Sequence, residues 1–233
     1  MSQTMLQLRK FLLSLGLAAL VFGSAISIIP PLAWGDAAEG PQVVSIKGAH
    51  EYQDPALLEK AWALQVARLY RSDIDYQQNG SFCGPTTIVN VLHSLNLPGD
   101  QATLLDGTGI ATVMGMLPQG LTLDELADVA RQKLGRKVTV LRGLDLAGFR
   151  EQLRHANDPS RRYVINFTRF PLFDTGGGHH SPIAGYLVDE DLVLVLDVNR
   201  NYGPWLVKSE RLYQAMDTVD TTANKKRGLL LIE

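Results

Sequence analysis

The apolar run from Leu192 to Val198 is interrupted only by Asp197, and it constrains the fold more than any other stretch of the chain. Nearly continuous apolar runs are typical of strands that are buried on both faces of a sheet. Other β-prone runs in the second half of the chain lie at 138–141, 163–167, 183–188 and 229–232. The sequence therefore predicts a sheet with a central strand that ends in a carboxylate.

Helical patterns precede most of these strands. Apolar residues recur at helical spacing over Pro55–Tyr70, and again after Cys83. Thr122 and Glu125 match a capping box, which predicts a third helix that ends near Gly135. Because helices come mainly first and strands mainly last, we predict an α+β fold with an N-terminal helical part and a C-terminal antiparallel sheet.

Residues 1–35 differ in character from the rest of the chain. Arg9 and Lys10 precede the uncharged run Phe11–Ile29, and the small residues Ala33 and Gly35 follow it. This order is typical of an export signal, and we expect cleavage near Gly35 and a periplasmic protein. The alternative is an uncleaved membrane anchor, since the 19 residues of the run can just span a bilayer. Residues 36–233 are then predicted to form a single catalytic domain.

The charge balance disfavours nucleic acid as a partner. The whole chain has 22 basic and 24 acidic residues, and removal of residues 1–35 leaves 20 basic residues against the same 24. A net charge of −4 does not attract a polyanion. The other histidines, His50, His93 and His155, have no partners at metal-ligand spacing, so we predict no bound metal.

Cys83 is the only cysteine, so it cannot form an internal disulfide. Its position at the start of a predicted helix favours the thiolate, because the helix dipole and free backbone N–H groups stabilise negative charge. The alternative is a small buried hydrophobic residue. Gln77, six residues earlier, is near enough for its amide to help bind an oxyanion together with the Cys83 backbone N–H.

A histidine pair follows three glycines at the start of a later strand, at His179 and His180. Either ring is suited to act as a general base toward a thiol and as a general acid toward a leaving amine. Asp197 is costly in an apolar run unless it has a partner, and an imidazole would supply one. A two-residue hairpin loop would place Asp197 on the face of His180, whereas an odd loop would select His179.

These motifs resemble those of the phytochelatin synthase family, papain-like cysteine enzymes also described as glutathione γ-glutamylcysteinyltransferases. The resemblance covers roughly residues 50–233. It rests on Gln77 with Phe82-Cys83-Gly84, on residues 178–186, on residues 196–200, on residues 216–220 and on Arg227-Gly228. The family's histidine lies two residues before a Ser-Pro pair, which here selects His179 and implies an odd or bulged hairpin loop.

The resemblance implies a papain-like fold and a role for each motif. Cys83 would attack glutathione, Gln77 would stabilise the oxyanion, and His179, oriented by Asp197, would protonate the departing glycine. Asp220 and Arg227 match the family's pair for binding the free α-amino and α-carboxyl groups of the γ-linked glutamate. Further substrate-binding residues are predicted to be Gly178 and Ser181.

The resemblance also implies the products and partners. The γ-Glu-Cys acyl group would pass to water or to a second glutathione, and the latter transfer makes phytochelatin. The chain ends at Glu233 without a cysteine-rich extension, as in short prokaryotic members, so we expect hydrolysis to dominate. Cd²⁺ or Zn²⁺ would enter only as a thiolate of the substrate, and a homodimer is an open prediction. The alternatives are a papain-like peptidase for other peptides, or an inactive exported protein that binds thiols or metals.

Overall fold

The computed structural model describes residues 44–70 and 74–233. After a short 3₁₀ helix at Ile46–Gly48, the helices and strands follow in this order: α1 (Pro55–Trp62), α2 (Gln65–Tyr70), α3 (Cys83–Ser94), α4 (Leu123–Leu134), β1 (Val138–Leu141), α5 (Leu146–His155), β2 (Arg162–Thr168), α6 (Phe170–Phe173), β3 (Gly178–Leu187), β4 (Leu192–Leu196), β5 (Pro204–Lys208), α7 (Ser209–Met216), β6 (Val219–Asp220), β7 (Lys225–Lys226) and β8 (Gly228–Ile232). This arrangement confirms the α+β class. The predicted export signal or anchor lies outside the described residues and stays a prediction.

A six-stranded antiparallel sheet is the centre of the fold, with the strand order β1-β8-β2-β3-β4-β5. The apolar run that begins at Leu192 forms β4, which is paired on both sides and wholly buried. Side chains on one face of the sheet, such as Val164 and Leu194, pack against α1 to α4. Those on the other face, such as Ile165 and Val195, pack against α5 to α7. Burial on both faces explains why the run does not alternate with polar residues.

The helix starting at Cys83 and the capped helix α4 form as predicted. Thr122 Oγ1 accepts from the Glu125 backbone N–H, the Glu125 carboxylate accepts from the Thr122 backbone N–H, and the helix ends at Gly135 in the left-handed conformation. The single helix predicted over Pro55–Tyr70 is wrong, since α1 and α2 are separate helices. Leu64, at the break, packs over Gly185 of β3, where a β carbon would come within 2.5 Å of Leu64 Cδ1.

A β-bulge in β3 determines which of its side chains share a face with β4. Leu187 pairs with Leu192 and Gly185 with Leu194, but Ile183 pairs with Val195, so that Ala184 is an extra residue. The bulge reverses the alternation of every side chain before it. Continued to the start of the strand, this register places His179 on the face of Asp197 and His180 on the opposite face.

The sequence analysis does not predict the longer elements α5, α7 and β5, nor the short elements α6, β6, β7 and the 3₁₀ helix. The strand predicted from residue 183 begins five residues earlier, at Gly178, so both histidines lie within it. Among residues 44–70 and 74–233, no helix has both the length and the apolar character needed to cross a membrane.

Candidate active site

Cys83 lies at the first position of α3, and its side chain is buried. The preceding loop is held in place by its own side chains. Asn79 Oδ1 accepts hydrogen bonds from the Ser81 backbone N–H and hydroxyl group, and Ser81 Oγ accepts one from the Leu117 backbone N–H. This loop fixes the sulfur at the helix N-terminus, where the dipole favours a thiolate.

His179 and Asp197 lie together beside Cys83, as the bulged register requires. His179 Nε2 is 3.0 Å from Asp197 Oδ1. The N–H does not point at the oxygen, so the contact is an ion pair without the alignment of a hydrogen bond. Phe167 packs its edge against the imidazole, with ring centroids 5.6 Å apart. A carboxylate and an aromatic neighbour therefore restrict the orientation of His179.

Asp197 is wholly buried and has three partners besides His179. Arg169 Nη2 donates to Oδ1 at 2.7 Å, the Asn199 backbone N–H donates to Oδ1 at 2.8 Å, and Trp205 Nε1 donates to Oδ2 at 3.2 Å. The Arg169 guanidinium also stacks on the Tyr202 ring, 3.9 Å from its centroid. This set of donors satisfies a buried carboxylate that would otherwise be very unfavourable.

The charges of these groups shift one another's pKa values. Burial alone would raise the pKa of the Cys83 thiol, but the charge and hydrogen bond of His179, together with His180, lower it well below its ordinary value. Burial lowers the pKa of His179, whereas Asp197 and Cys83 raise it, and the net shift is upward. Burial raises the pKa of Asp197, but His179 and Arg169 lower it below its usual range. The site thus favours a thiolate and an imidazolium.

His180 approaches the same sulfur from the other face of β3. Its Nδ1 is 3.9 Å from Cys83 Sγ, and its Nε2 is 3.0 Å from Asn166 Nδ2. The Thr87 hydroxyl group of α3 donates to the His180 carbonyl oxygen. His180 therefore contacts the cysteine directly, whereas His179 contacts Asp197 and lowers the pKa of the thiol by its charge.

A cavity of about 190 Å³ opens beside Cys83. Strands β6 and β7 form a small hairpin that brings Asp220 close to Arg227, with Oδ2 and Nη1 3.3 Å apart. Gly178 is next to this pair, because a β carbon there would lie 2.8 Å from Arg227 Nη1. The cavity is lined by residues that include Cys83, Asn166, Gly178, His180, Asp220 and Arg227.

Gln77 and Ser181 are predicted site residues that do not line the cavity. The Gln77 side chain donates to the Asn79 carbonyl oxygen, which leaves its second amide hydrogen for other contacts, and its oxyanion role stays a prediction. Ser181 is fully buried and is not part of the cavity lining; within the part of the chain that the structure describes, its hydroxyl group has no hydrogen-bond partner. Direct binding of substrate by Ser181 is thus not supported by its position, which β3 buries between its neighbours.

Several contacting residues were not identified from the sequence. Arg169 and Trp205 hold Asp197, and Asn166 holds His180. A signal existed only for Asn166, which is a polar residue inside the apolar strand β2. Across residues 44–70 and 74–233, no three His, Cys, Asp or Glu side chains are grouped as metal ligands.

Comparison with known proteins points to one family. A sequence model of the phytochelatin synthase family matches residues 50–229. Glutathione gamma-glutamylcysteinyltransferase 3 of Lotus japonicus is 31% identical over 170 residues, which are 67% of this chain and 35% of that protein. Glutathione gamma-glutamylcysteinyltransferase 2 of Arabidopsis thaliana is 30% identical over 67% of this chain and 37% of its own length. The chain thus spans little more than a third of these relatives.

A solved structure supports the fold. A Bacillus anthracis protein described as a C39-like peptidase superposes with a TM-score of 0.52, over 71% of this chain and 96% of that chain, at 16% identity. At this identity the likeness concerns the fold alone, and it confirms the predicted papain-like architecture.

Proposed function

Because the chain belongs to the phytochelatin synthase family, we propose that it cleaves glycine from glutathione through a thioester on Cys83 and passes the γ-Glu-Cys acyl group to water or to a second glutathione. The observation that carries the proposal is the position of the Asp220–Arg227 pair in the same cavity as the cysteine. The two relatives described above are named for this transfer reaction, and the residues that line the cavity support the same reaction for this chain.

The paired charges suit the glutamyl end of glutathione. A γ-linked glutamate keeps its α-ammonium and α-carboxylate free, and these match Asp220 and Arg227 in charge. Arg227 contacts Asp220 through Nη1 at 3.3 Å, a long single contact, so its guanidinium retains donors for a ligand carboxylate. Both side chains are largely buried, at 10% and 13% exposure, which strengthens their attraction for a charged ligand.

Cleavage requires a nucleophile and a proton donor on the same peptide bond. The Cys83 thiolate attacks the carbonyl carbon of the Cys–Gly bond, and the carbonyl becomes an oxyanion that the Cys83 backbone N–H and Gln77 would stabilise. Protonated His179 then gives its proton to the glycine nitrogen, the C–N bond breaks, and glycine leaves. Asp197 holds the imidazole throughout and stabilises its charged form.

The thioester is resolved by a second attack, in which His179 acts as the base. With water as the nucleophile the product is γ-Glu-Cys, and with the α-amine of a second glutathione it is a chain longer by one γ-Glu-Cys unit. In both cases the C–S bond breaks and Cys83 returns as a thiolate.

The charges in the cavity favour the glutathione reaction over the alternative peptidase function. A peptidase for ordinary peptides does not need a pair of opposite charges such as Asp220 and Arg227, because an internal peptide residue has neither a free α-amino group nor a free α-carboxyl group. The γ-linked glutamate of glutathione has both.

Mass spectrometry of glutathione incubated with the full chain tests the proposal. We expect glycine together with γ-Glu-Cys, or longer (γ-Glu-Cys)n-Gly products if transfer competes. Parallel incubations with Cd²⁺ show whether a metal thiolate is the better acceptor. The Cys83→Ala variant must lose all products. The α-linked isomer Glu-Cys-Gly is the matched control, because its α-carboxyl group is consumed in the peptide bond; equal turnover of both isomers would contradict recognition by Asp220 and Arg227.

We predict a specific defect for Gly178→Ala. The added methyl group displaces the Arg227 guanidinium, whose flexible side chain can move away at little cost in stability. Loss of one charge-assisted hydrogen bond to the substrate raises KM for glutathione about tenfold. The melting temperature serves as the control and should change little. An unchanged KM would show that Arg227 does not bind substrate from its observed position.

A further inference from the structure

His180 has an unusual position for a histidine that does not contact Asp197. It is 2% exposed, it lies on the α3 side of the sheet, and its Nδ1 is 3.9 Å from Cys83 Sγ, within hydrogen-bonding range for sulfur. Its other nitrogen contacts Asn166, which is 1% exposed. A ring with both nitrogens engaged inside the protein has a defined protonation state, which its partners reveal.

The hydrogen bonds of Asn166 fix the orientation of its amide. Arg227 Nη1 is 3.2 Å from Asn166 Oδ1, and a guanidinium can only donate, so the atom that faces it must be the amide oxygen. The amide nitrogen then faces His180 Nε2 at 3.0 Å and the His179 carbonyl oxygen at 3.2 Å. Because Nδ2 donates, His180 Nε2 must accept through a lone pair.

The tautomer of His180 follows directly. With a lone pair on Nε2, a neutral imidazole carries its hydrogen on Nδ1, the atom that faces the sulfur. A doubly protonated ring would place an N–H group against the Asn166 amide hydrogens. His180 is therefore a hydrogen-bond donor to Cys83 that does not compete with His179 for the proton.

We propose that His180 is a second catalytic histidine, a neutral Nδ1–H donor that stabilises the Cys83 thiolate, and that Asn166 is the positioning residue that holds this tautomer. Arg227 orients Asn166 and so links the substrate-binding end of the cavity to the nucleophile. Only that link depends on the proposed function. The contact of His180 with the thiolate does not, and it can be tested without glutathione.

Other charged groups also act on the thiolate, and the test must separate them from His180. His179, on the same strand as His180, faces the thiolate, and the ion pair of Asp197 with Arg169 lies behind it. Arg227, which is paired with Asp220, faces the thiolate across the cavity. On the side of α4, the neighbours of α3 beside Gly84 are the apolar side chains of Leu121 and Leu126. Substitution of His180 leaves the side chains of these groups in place, whereas substitution of Asn166 removes one acceptor from Arg227 and one donor from the His179 carbonyl oxygen.

Alkylation of the full chain with iodoacetamide across pH is the test, and a single cysteine makes the readout unambiguous. In His180→Phe and Asn166→Leu, we expect the alkylation rate at pH 6 to fall roughly tenfold, because the thiolate loses a donor, while the rates at pH 10 stay within about twofold of wild type. The His93→Gln variant, at the far end of α3, controls for loss of a remote histidine and should follow wild type.

Unchanged pH profiles in both variants, with unchanged melting temperatures, would overturn the proposal. If the variants fail to fold, the wild-type chain still decides the question. Long-range ¹H–¹⁵N spectra of histidine-labelled protein at pH 7 should show His180 protonated at Nδ1 only. A ring protonated at Nε2, alone or together with Nδ1, would contradict the assigned tautomer and the role of Asn166.

Discussion

Replacing His179 with glutamine is expected to lower kcat for glutathione cleavage by roughly 10²- to 10⁴-fold, the usual contribution of general acid–base catalysis. The variant loses the proton donor for glycine, and it also loses the imidazolium that lowers the pKa of Cys83. Its kcat should thus fall at every pH, and alkylation of Cys83 should move toward higher pH. Steady-state kinetics and the alkylation profile, measured on the same preparation, report the two effects separately.

The matched comparison is with His180→Phe, which removes the neighbouring imidazole from the same strand. That variant should keep most of the high-pH turnover, because His179 and Asp197 are intact and are 3.0 Å apart. A greater loss of kcat in His180→Phe than in His179→Gln would reverse the roles assigned to the two histidines.

The second large effect is on stability. Arg169→Met is expected to lower the free energy of unfolding by about 3–5 kcal/mol, the cost of leaving one partner of a buried ion pair uncompensated. Asp197 is wholly buried and accepts from Arg169 at 2.7 Å, and the stacking of the guanidinium on Tyr202 is lost as well. Urea unfolding at pH 7 measures the loss. A change below about 1 kcal/mol, as for an exposed ion pair, would contradict this account.

A double-mutant cycle separates charge from packing in this prediction. In the Asp197→Asn background no buried carboxylate is left without its cationic partner. Arg169→Met should therefore lower the free energy of unfolding by less in this background than in wild type. An equal decrease in the free energy of unfolding in the two backgrounds would mean that Arg169 stabilises the fold through its aromatic contacts alone.

The same ion pair predicts how stability depends on pH. The pKa of Asp197 is lower in the folded protein than in the unfolded chain, so its contribution is fully present above the unfolded value of about 3.9. That contribution is lost as pH falls below this value toward the folded pKa. The unfolding free energy of wild type should therefore decrease on acidification, and the decrease should be shallower in Arg169→Met, where the pKa of Asp197 is less depressed.

Much of the fold could be predicted because the relevant signals are local. The capping box at Thr122 and the apolar strand from Leu192 are visible over a few residues, and both elements form as expected. The missed helix α5 also has a local signal, since the Asp145 side chain accepts from the Gly148 backbone N–H as an N-cap. By contrast, the break between α1 and α2 coincides with packing of Leu64 on Gly185, a contact that no local pattern encodes.

The site was predictable only in part, for the same reason. Cys83, His179 and Asp197 come from motifs that can be read along the chain, and the structure brings them together. Arg169 reaches Asp197 across the end of the sheet, from 28 residues away in sequence. Which of the two histidines faces Asp197 depends on the strand register. Residue types alone do not determine that register, whereas the bulge at Ala184 does.

The bulge also determines which changes in length this hairpin can tolerate. The pairs Leu187–Leu192 and Gly185–Leu194 are fixed by the alternation of the two cores, so the turn at residues 188–191 can be exchanged for turns of other lengths without moving the histidines. Deletion of Ala184 would remove the bulge but leave Ile183 opposite Val195, so His179 would stay on the face of Asp197. Deletion of Pro182 with the bulge retained would instead place His180 opposite Asp197. The residues between the histidines and the bulge therefore tolerate changes in length less well than the bulge or the turn.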